Sequence, residues 1–217
     1  MKDFKIVWSA RSECGPNRKK NEDTIFPAIS GSSKPPFKAA VCDGLGGHVN
    51  GDVASKIAAD TLLKEITDLN QIITEANKNI LEYQDKNPSS LGMGTTMTAI
   101  SIDSDALMKI GHVGDSRCYV LSDRNLIKVT EDQNVPGYQN VLKQALGSNE
   151  KLNIQEVDFQ LQIGDVVFLC SDGLYNEVGE EYIKKKMQDG ISADTFVSEV
   201  LLLNPKDNVS AIVINLV

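Results

Sequence analysis

The 217-residue sequence lacks the features that mark several large protein classes. No apolar run approaches the roughly 20 residues that span a bilayer, and residues 1–15 contain no sustained apolar stretch of the kind found in a secretory signal. Lys and Arg number 22 against 30 Asp and Glu, a formal charge of −8. That balance disfavours nucleic-acid binding, whose affinity depends on basic side chains. We therefore expect a cytoplasmic protein that binds neither nucleic acid nor a membrane.

Cysteine and histidine are also scarce. Cys14, Cys42, Cys118 and Cys170 are spread along the chain without paired spacing, so neither a structural zinc site nor a disulfide framework is predicted. Cys42 and Cys170 lie in apolar runs and are expected to behave as small buried residues. Only two histidines are present and neither lies in a nucleophile motif, so a Ser-His-Asp triad is not indicated.

The composition, 41% hydrophobic and 24% charged, is typical of a globular chain, and we expect one domain over residues 1–217. Short runs rich in β-branched residues and bounded by Gly, Asp, Asn or Ser predict strands. These runs are residues 37–43, 95–103, 107–115, 117–123, 166–172 and 208–217.

Apolar residues three and four positions apart predict helices over about 52–69 and 70–83. A third helix is expected to begin at Glu180 and to end before Gly190, and Ser192 could cap a fourth through about Leu203. Strands that follow one another through short turns favour antiparallel sheets. Two such sheets with helices packed outside would bury every amphipathic face.

Carboxylates stand beside the apolar strands in five short motifs. These motifs are Asn21-Glu22-Asp23, Asp43-Gly44, Gly114-Asp115, Asp172-Gly173 and Asp207-Asn208. Any one of them alone would be read as a turn. Because a carboxylate beside a buried strand must be hydrated, paired or bound to a cation, five together indicate converging acids. Such a hard-oxygen site suits Mg²⁺ or Mn²⁺ better than zinc.

The same motifs carry a family resemblance. Eight motifs occur in a fixed order along the chain. They are Gly15-x-x-Arg18-x-x-Asn21-Glu22-Asp23, Asp43-Gly44-Leu45-Gly46-Gly47-His48, Gly94-Thr95-Thr96, Gly114-Asp115-Ser116-Arg117, Thr130-Glu131-Asp132, Ala145-Leu146-Gly147, Ser171-Asp172-Gly173 and Asp207-Asn208. This ordered set resembles the bacterial form of the metal-dependent serine/threonine protein phosphatases, type 2C, over about residues 14–217. The resemblance implies an α+β fold of four layers, αββα, in which two central antiparallel sheets are flanked by pairs of antiparallel helices.

The resemblance also implies a site for two Mn²⁺ or Mg²⁺ ions. Asp43 would bridge the two ions, Gly44 would offer its carbonyl to one, and Asp172 and Asp207 would complete the other. Asp115 matches a position that contributes, with Asp172, to a third and weaker ion in bacterial members.

Three further residues have implied roles around those ions. Glu22 and Asp23 resemble residues that hold metal-bound waters, and Arg18 resembles the arginine that grips the substrate phosphate. Arg18, Asp43 and Asp172 would then form the catalytic set. The implied reaction is in-line attack of a metal-bridging hydroxide on phosphoserine or phosphothreonine, with release of phosphate. The implied partners are phosphoproteins made by a cognate serine/threonine kinase, and the enzyme is expected to be a monomer.

Two positions depart from part of the family. Leu45 stands where many members carry a histidine proposed as general acid. His48 is a candidate substitute, although a structural role in the turn is the preferred interpretation, and a metal-bound water is the other proton donor. The mobile flap of the family looks shortened nearly to a loop near residues 133–140, which predicts a more open site. His112, within a strand run, is expected to pack in the core.

Two other functions remain open at the level of sequence. The first is a non-catalytic module that keeps the fold and binds a phosphoprotein, although Asp43, Asp172 and Asp207 are all present. The second is a phosphatase for an anti-sigma-factor antagonist, an enzyme type that shares the core fold but usually lies beside a sensor domain.

Overall fold

The computed structural model describes residues 4–46, 49–148 and 151–217, without the side chains of residues 139 and 140. The strands are β1 (Ile6–Glu13), β2 (Asp23–Phe26), β3 (Gly31–Ser33), β4 (Phe37–Asp43), β5 (Met97–Ile102), β6 (Leu107–Val113), β7 (Arg117–Ser122), β8 (Asn125–Lys128), β9 (Asn134–Val135), β10 (Tyr138–Leu142), β11 (Gln155–Gln160), β12 (Val166–Cys170) and β13 (Val209–Leu216). The α-helices are α1 (Gly51–Asp60), α2 (Leu69–Lys86), α3 (Asp172–Gln188) and α4 (Ala193–Leu201).

The strands form two large antiparallel sheets and one small hairpin. The six-stranded sheet has the order β3-β1-β13-β12-β7-β8, and the five-stranded sheet has the order β11-β6-β5-β4-β2. Strands β9 and β10 form a two-stranded sheet and, among the strands described, pair with no other. Strand β13 lies between β1 and β12, and its register with β1 runs from Ile6 opposite Leu216 to Glu13 opposite Val209.

Three apolar layers separate four layers of secondary structure. Residues such as Val41 and Ile212, from different sheets, share the central layer between the two sheets. A second layer packs α1 and α2 on the five-stranded sheet. The third packs α3 and α4 on the six-stranded sheet, with the rings of Phe168 and Phe196 stacked 4.9 Å apart. The architecture confirms the predicted α+β fold of two antiparallel sheets with helices outside.

The first helical pair is divided differently from the prediction. Helix α1 ends at Asp60 and continues only as a 3₁₀ turn over Thr61–Leu63, because the chain then turns back before α2. The ammonium of Lys38 donates to three backbone carbonyls in this connection, those of residues 62, 64 and 66, at 2.9–3.1 Å. These bonds satisfy carbonyls that the end of the helix leaves without partners.

The helix expected to begin at Glu180 in fact begins eight residues earlier, at Asp172. Gly179 has φ 71° and breaks the helix, which is why the sequence pattern showed only its second half. Ser192 caps α4 as predicted, since its side chain accepts a hydrogen bond from the backbone N–H of Thr195.

The described helices include none that is both long and apolar enough to cross a membrane. All four cysteines are free, and Cys42, Cys118 and Cys170 are buried. The prediction of buried apolar roles for Cys42 and Cys170 is therefore confirmed.

Candidate metal and phosphate site

A cleft of about 1020 Å³ lies beside the ends of strands from both sheets. Four aspartates line it: Asp43 ends β4, Asp115 lies between β6 and β7, Asp172 follows β12, and Asp207 precedes β13. Arg18 lines the same cleft. The topology therefore brings together the acidic motifs that lie far apart in the sequence.

The backbone of Asp43 is fixed by the neighbouring segment 95–96. The N–H of Asp43 donates to Oγ1 of Thr96 at 3.0 Å, and its carbonyl accepts from the backbone N–H of Thr96 at 2.8 Å. The hydroxyl of Thr95 donates to the same carbonyl at 2.9 Å. Asp43 is thus held at the end of its strand with its side chain free to face the cleft.

Gly44 lies where no side chain fits. A Cβ at this position would stand 2.5 Å from the carbonyl oxygens of both Glu22 and Gly51. The N–H of Gly44 donates to the carbonyl of Glu22 at 3.1 Å. The close approach of three backbone segments therefore requires glycine here.

The cleft carboxylates repel one another. Burial, followed by the negative charges of Asp23, Asp172, Asp115 and Asp207, raises the pKa of Asp43 well above its ordinary value. Burial together with the charges of Asp115 and Asp207 raises the pKa of Asp172 to about 7. Such mutual shifts are expected where acids crowd without a compensating positive charge.

Asp115 is positioned by hydrogen bonds from Asn134 and Tyr175, and Arg117 stacks on the Tyr175 ring. Burial raises the pKa of Asp115 to about 6, against a lowering hydrogen bond in which Nδ2 of Asn134 donates to its Oδ2 at 3.2 Å. The hydroxyl of Tyr175 donates to the carbonyl of Asp115 at 3.1 Å. The guanidinium of Arg117 stacks 3.5 Å from the centre of the Tyr175 ring and forms a bidentate ion pair with Asp132.

Asp23 and Glu22 lie beside these carboxylates rather than among the cleft-lining residues. Asp23 pairs with Asp43 across β2 and β4, is buried, and accepts a hydrogen bond from the hydroxyl of Ser210 at 2.6 Å. Burial raises its pKa to about 7 despite that bond. Burial also raises the pKa of Glu22.

The loop that carries Arg18 is tied to the loop that carries Asp207. Nη2 of Arg18 donates to Oδ2 of Asp207 at 2.5 Å, and its Nε donates to the carbonyl of Lys206 at 3.2 Å. Asn208 accepts from the N–H of Glu22 at 3.0 Å and donates to the carbonyl of Lys20 at 3.1 Å. Asn208 is a positioning residue to which sequence reasoning assigned no role, because its partners lie almost a whole chain length away.

The donor set fits hard cations. The charge of Asp172 adds to the burial that raises the pKa of Asp43, and two such carboxylates stand together at low cost only when positive charge or a proton lies between them. Among the described residues, no three Asp, Glu, His or Cys side chains are arranged as ligands of one ion. The fit therefore rests on the all-oxygen chemistry of the carboxylates and on their mutual repulsion.

Several remaining sequence predictions have a place in this region. Leu45 lines the cleft, whereas His48 lies outside the described residues. The segment near 133–140 forms the β9–β10 hairpin rather than a bare loop, and Val141 and Leu142 at its end line the cleft. His112 is fully buried in β6, with Nδ1 2.8 Å from Oγ1 of Thr98, which confirms its expected core position.

The sequence and fold are similar to those of known proteins. The chain is 31% identical to the serine/threonine phosphatase stp of Listeria monocytogenes serotype 4b (strain F2365), covering 94% of this chain and 93% of that protein. The crystal structure of the Mycobacterium tuberculosis serine/threonine phosphatase PstP/Ppp superposes with a TM-score of 0.86 at 27% identity, covering 97% of this chain and 98% of that one. The catalytic domain of PstP in complex with two manganese ions gives a TM-score of 0.87 at 28% identity, covering 99% and 100%. Residues 16–202 match the family described as protein phosphatase 2C, and the chain belongs to this family.

Proposed function

We propose that this chain is a metal-dependent protein phosphatase that hydrolyses phosphoserine and phosphothreonine in proteins. One observation carries the proposal: four carboxylates from separate strand ends and one arginine meet in a single cleft. Membership of the protein phosphatase 2C family and the similarity to named serine/threonine phosphatases support the same activity. Strands from both ends of the described chain, β1 and β13, pair in the six-stranded sheet, and we infer that residues 1–217 form one catalytic domain.

The proposed cofactors are two Mn²⁺ or Mg²⁺ ions. Asp43 would bridge them, the carbonyl of Gly44 would bind one, and Asp172 and Asp207 would bind the other. Manganese is supported by the PstP catalytic domain, whose structure holds two manganese ions. Asp115 would join Asp172 at a third, weaker site.

When bound, divalent cations lower the pKa of coordinated water and neutralise charge on phosphoryl oxygens. Arg18 would grip two phosphate oxygens with its planar guanidinium and orient the phosphorus for in-line attack. Buried Asp23, fixed by Ser210, and Glu22 would accept hydrogen bonds from water at the site. Leu45 lines the cleft without an acidic proton, so protonation of the leaving serine or threonine oxygen falls to another group.

The proposed physiological substrates are phosphoproteins made by a serine/threonine kinase. The cleft is open enough to admit a chain segment because its volume is about 1020 Å³ and the segment after β8 contributes only a short hairpin to its wall. The short hairpin is expected to leave the site more open than in relatives with a longer flap.

The decisive experiment measures phosphate release from a phosphothreonine peptide with and without Mn²⁺, using the wild type, Asp172→Ala and the surface control Asp189→Ala. We expect metal-dependent release by the wild type and the control and none by Asp172→Ala. Calorimetric titration with Mn²⁺ should show at least two sites in the wild type and weaker binding in Asp172→Ala. A folded, metal-loaded wild type that releases no phosphate would refute the proposal and favour a non-catalytic phosphoprotein-binding module.

A further inference from the structure

Two lysines line the cleft in addition to Arg18. Lys206 precedes Asp207, and Lys143 follows the β9–β10 hairpin. Both side chains are exposed, and within the described part of the chain neither ammonium takes part in an ion pair or a hydrogen bond. They are unpaired positive charges on the wall of a cleft in a protein whose formal charge is −8.

The charge around these lysines changes when the site is loaded. Asp43, Asp115, Asp172 and Asp207 form the acidic floor of the cleft, and two divalent cations would offset their four negative charges. Glu177 is the remaining carboxylate among the cleft-lining residues. The two lysines then make the wall of the loaded cleft net positive, although the rest of the surface is acidic.

Backbone contacts fix the two lysines on different segments of the cleft lining. The carbonyl of Lys206 accepts a hydrogen bond from Nε of Arg18 at 3.2 Å, so Lys206 flanks the residue proposed to grip phosphate. The backbone N–H of Lys143 donates to the carbonyl of Gln133 at 2.8 Å, which fixes Lys143 on the separate wall formed by residues 141–145. Both segments line the cleft that would hold a peptide with its phosphate at Arg18.

We propose that Lys143 and Lys206 select phosphoprotein segments that carry Asp or Glu next to the phosphorylated residue. This inference rests on the proposed phosphatase function and names the class of substrate for the same cleft. Exposed charge pairs contribute about 0.2–1 kcal/mol each and act on encounter and binding rather than on the chemical step. The lysines therefore lower KM for acidic substrates and leave kcat nearly the same.

The test compares three phosphothreonine peptides of equal length whose flanking residues are Asp, Ala or Lys. Wild type, Lys143→Glu, Lys206→Glu and the double variant are measured with Mn²⁺. The control is Lys185→Glu, the same charge change at an exposed position in the last turn of α3. We expect the wild type to prefer the Asp peptide over the Ala peptide by about five-fold in kcat/KM. The preference should reverse in the double variant, remain in the control, and weaken with rising salt.

Melting temperatures establish that the variants are folded. A second double variant, Lys143→Gln with Lys206→Gln, should abolish the preference for the Asp peptide without reversing it. Equal kcat/KM for the three peptides in the wild type, or an unchanged preference in the folded double variant, would overturn the inference while leaving the phosphatase function intact. No metal-dependent release from any peptide would refute both.

Discussion

The guanidinium of Arg18 donates to Oδ2 of Asp207 at 2.5 Å. The residue proposed to bind phosphate is therefore bonded to a residue proposed to bind a cation. Nη1 of Arg18 also lies 4.0 Å from Oε2 of Glu22. Because of these contacts, a change at Arg18 will affect substrate binding and the arrangement of the acidic residues together.

Replacing Arg18 by lysine keeps the charge but removes the planar fork that bonds two oxygens at once. We expect kcat/KM for a phosphothreonine peptide to fall about 10- to 150-fold, the range for a loss of about 1.5–3 kcal/mol in charged hydrogen bonding. Steady-state kinetics with saturating Mn²⁺ measure the effect, and Arg124→Lys in an exposed turn is the control. Unchanged kinetics in Arg18→Lys would remove Arg18 from the phosphate site.

Asp172→Asn should stabilise the metal-free protein while abolishing its activity. Its carboxylate is buried beside Asp115 and Asp207, which raise its pKa together with burial, so a neutral isostere relieves repulsion in the metal-free protein. We expect the metal-free variant to gain about 1–2 kcal/mol in unfolding free energy and to lose both Mn²⁺-induced stabilisation and activity. Urea denaturation with and without Mn²⁺ tests this, and equal Mn²⁺ stabilisation in the wild type and the variant would contradict it.

Gly44→Ala should be strongly destabilising. The new Cβ would collide with the backbone carbonyls of Glu22 and Gly51, and overpacking against backbone costs about 1–3 kcal/mol or more. Gly164→Ala is the matched control, since Gly164 has φ 97° but no atom near the added Cβ; its cost should be only about 1–2 kcal/mol. If denaturation gave the same loss for both variants, the crowding at Gly44 would not govern its stability.

Buried His112 should make the protein less stable in mild acid. Burial lowers the pKa of His112 to about 4, against smaller raising effects of the carbonyl of Glu131 and the charge of Asp132. At pH values between about 4 and about 6.5, the His112 imidazole is protonated in the unfolded chain but neutral in the folded protein. The contribution of neutral His112 to the free energy of unfolding is therefore fully present above about pH 6.5, and it falls by about 3 kcal/mol as the pH drops to about 4.

The measurement is the difference in unfolding free energy between wild type and His112→Gln across pH 4–7. The acidic residues with raised pKa act in the opposite direction, but they are common to both proteins and cancel in the difference. A difference that stays constant with pH would contradict a low pKa for His112.

The elements best predicted from sequence are those whose apolar pattern is local. Strand β4 was predicted with the correct limits, Phe37 and Asp43, because an apolar run ends there at an Asp-Gly pair. Strand β1 was not predicted, although it occupies an inner position of its sheet. Five of its eight residues are only partly buried, so its sequence carries little local signal and its pairing with β13 decides its structure.

In the candidate site, too, residues in local sequence motifs were predicted and residues defined by contacts between distant segments were not. Ordered motifs identified Asp43, Asp115, Asp172 and Asp207, which the structure brings to one cleft. The roles of Asn208 and Lys143 could not be predicted, because they depend on contacts between distant loops and on exposure beside the cleft rather than on a sequence pattern. The assigned metal and phosphate roles remain predictions for the experiments above.

The central position of β13 has a consequence for how the protein is made. Strands β1 and β12 cannot join into one sheet until β13, which follows both in the chain, is inserted between them. Pairing between such distant segments is slow to form, and Asp207, which directly precedes β13 in the chain, is placed in the cleft when β13 pairs. A chain without β13 in place would expose two unpaired strand edges, on β1 and on β12, and would not hold Asp207 beside the other cleft aspartates, so completion of this sheet and completion of the acidic site are expected to be a single event.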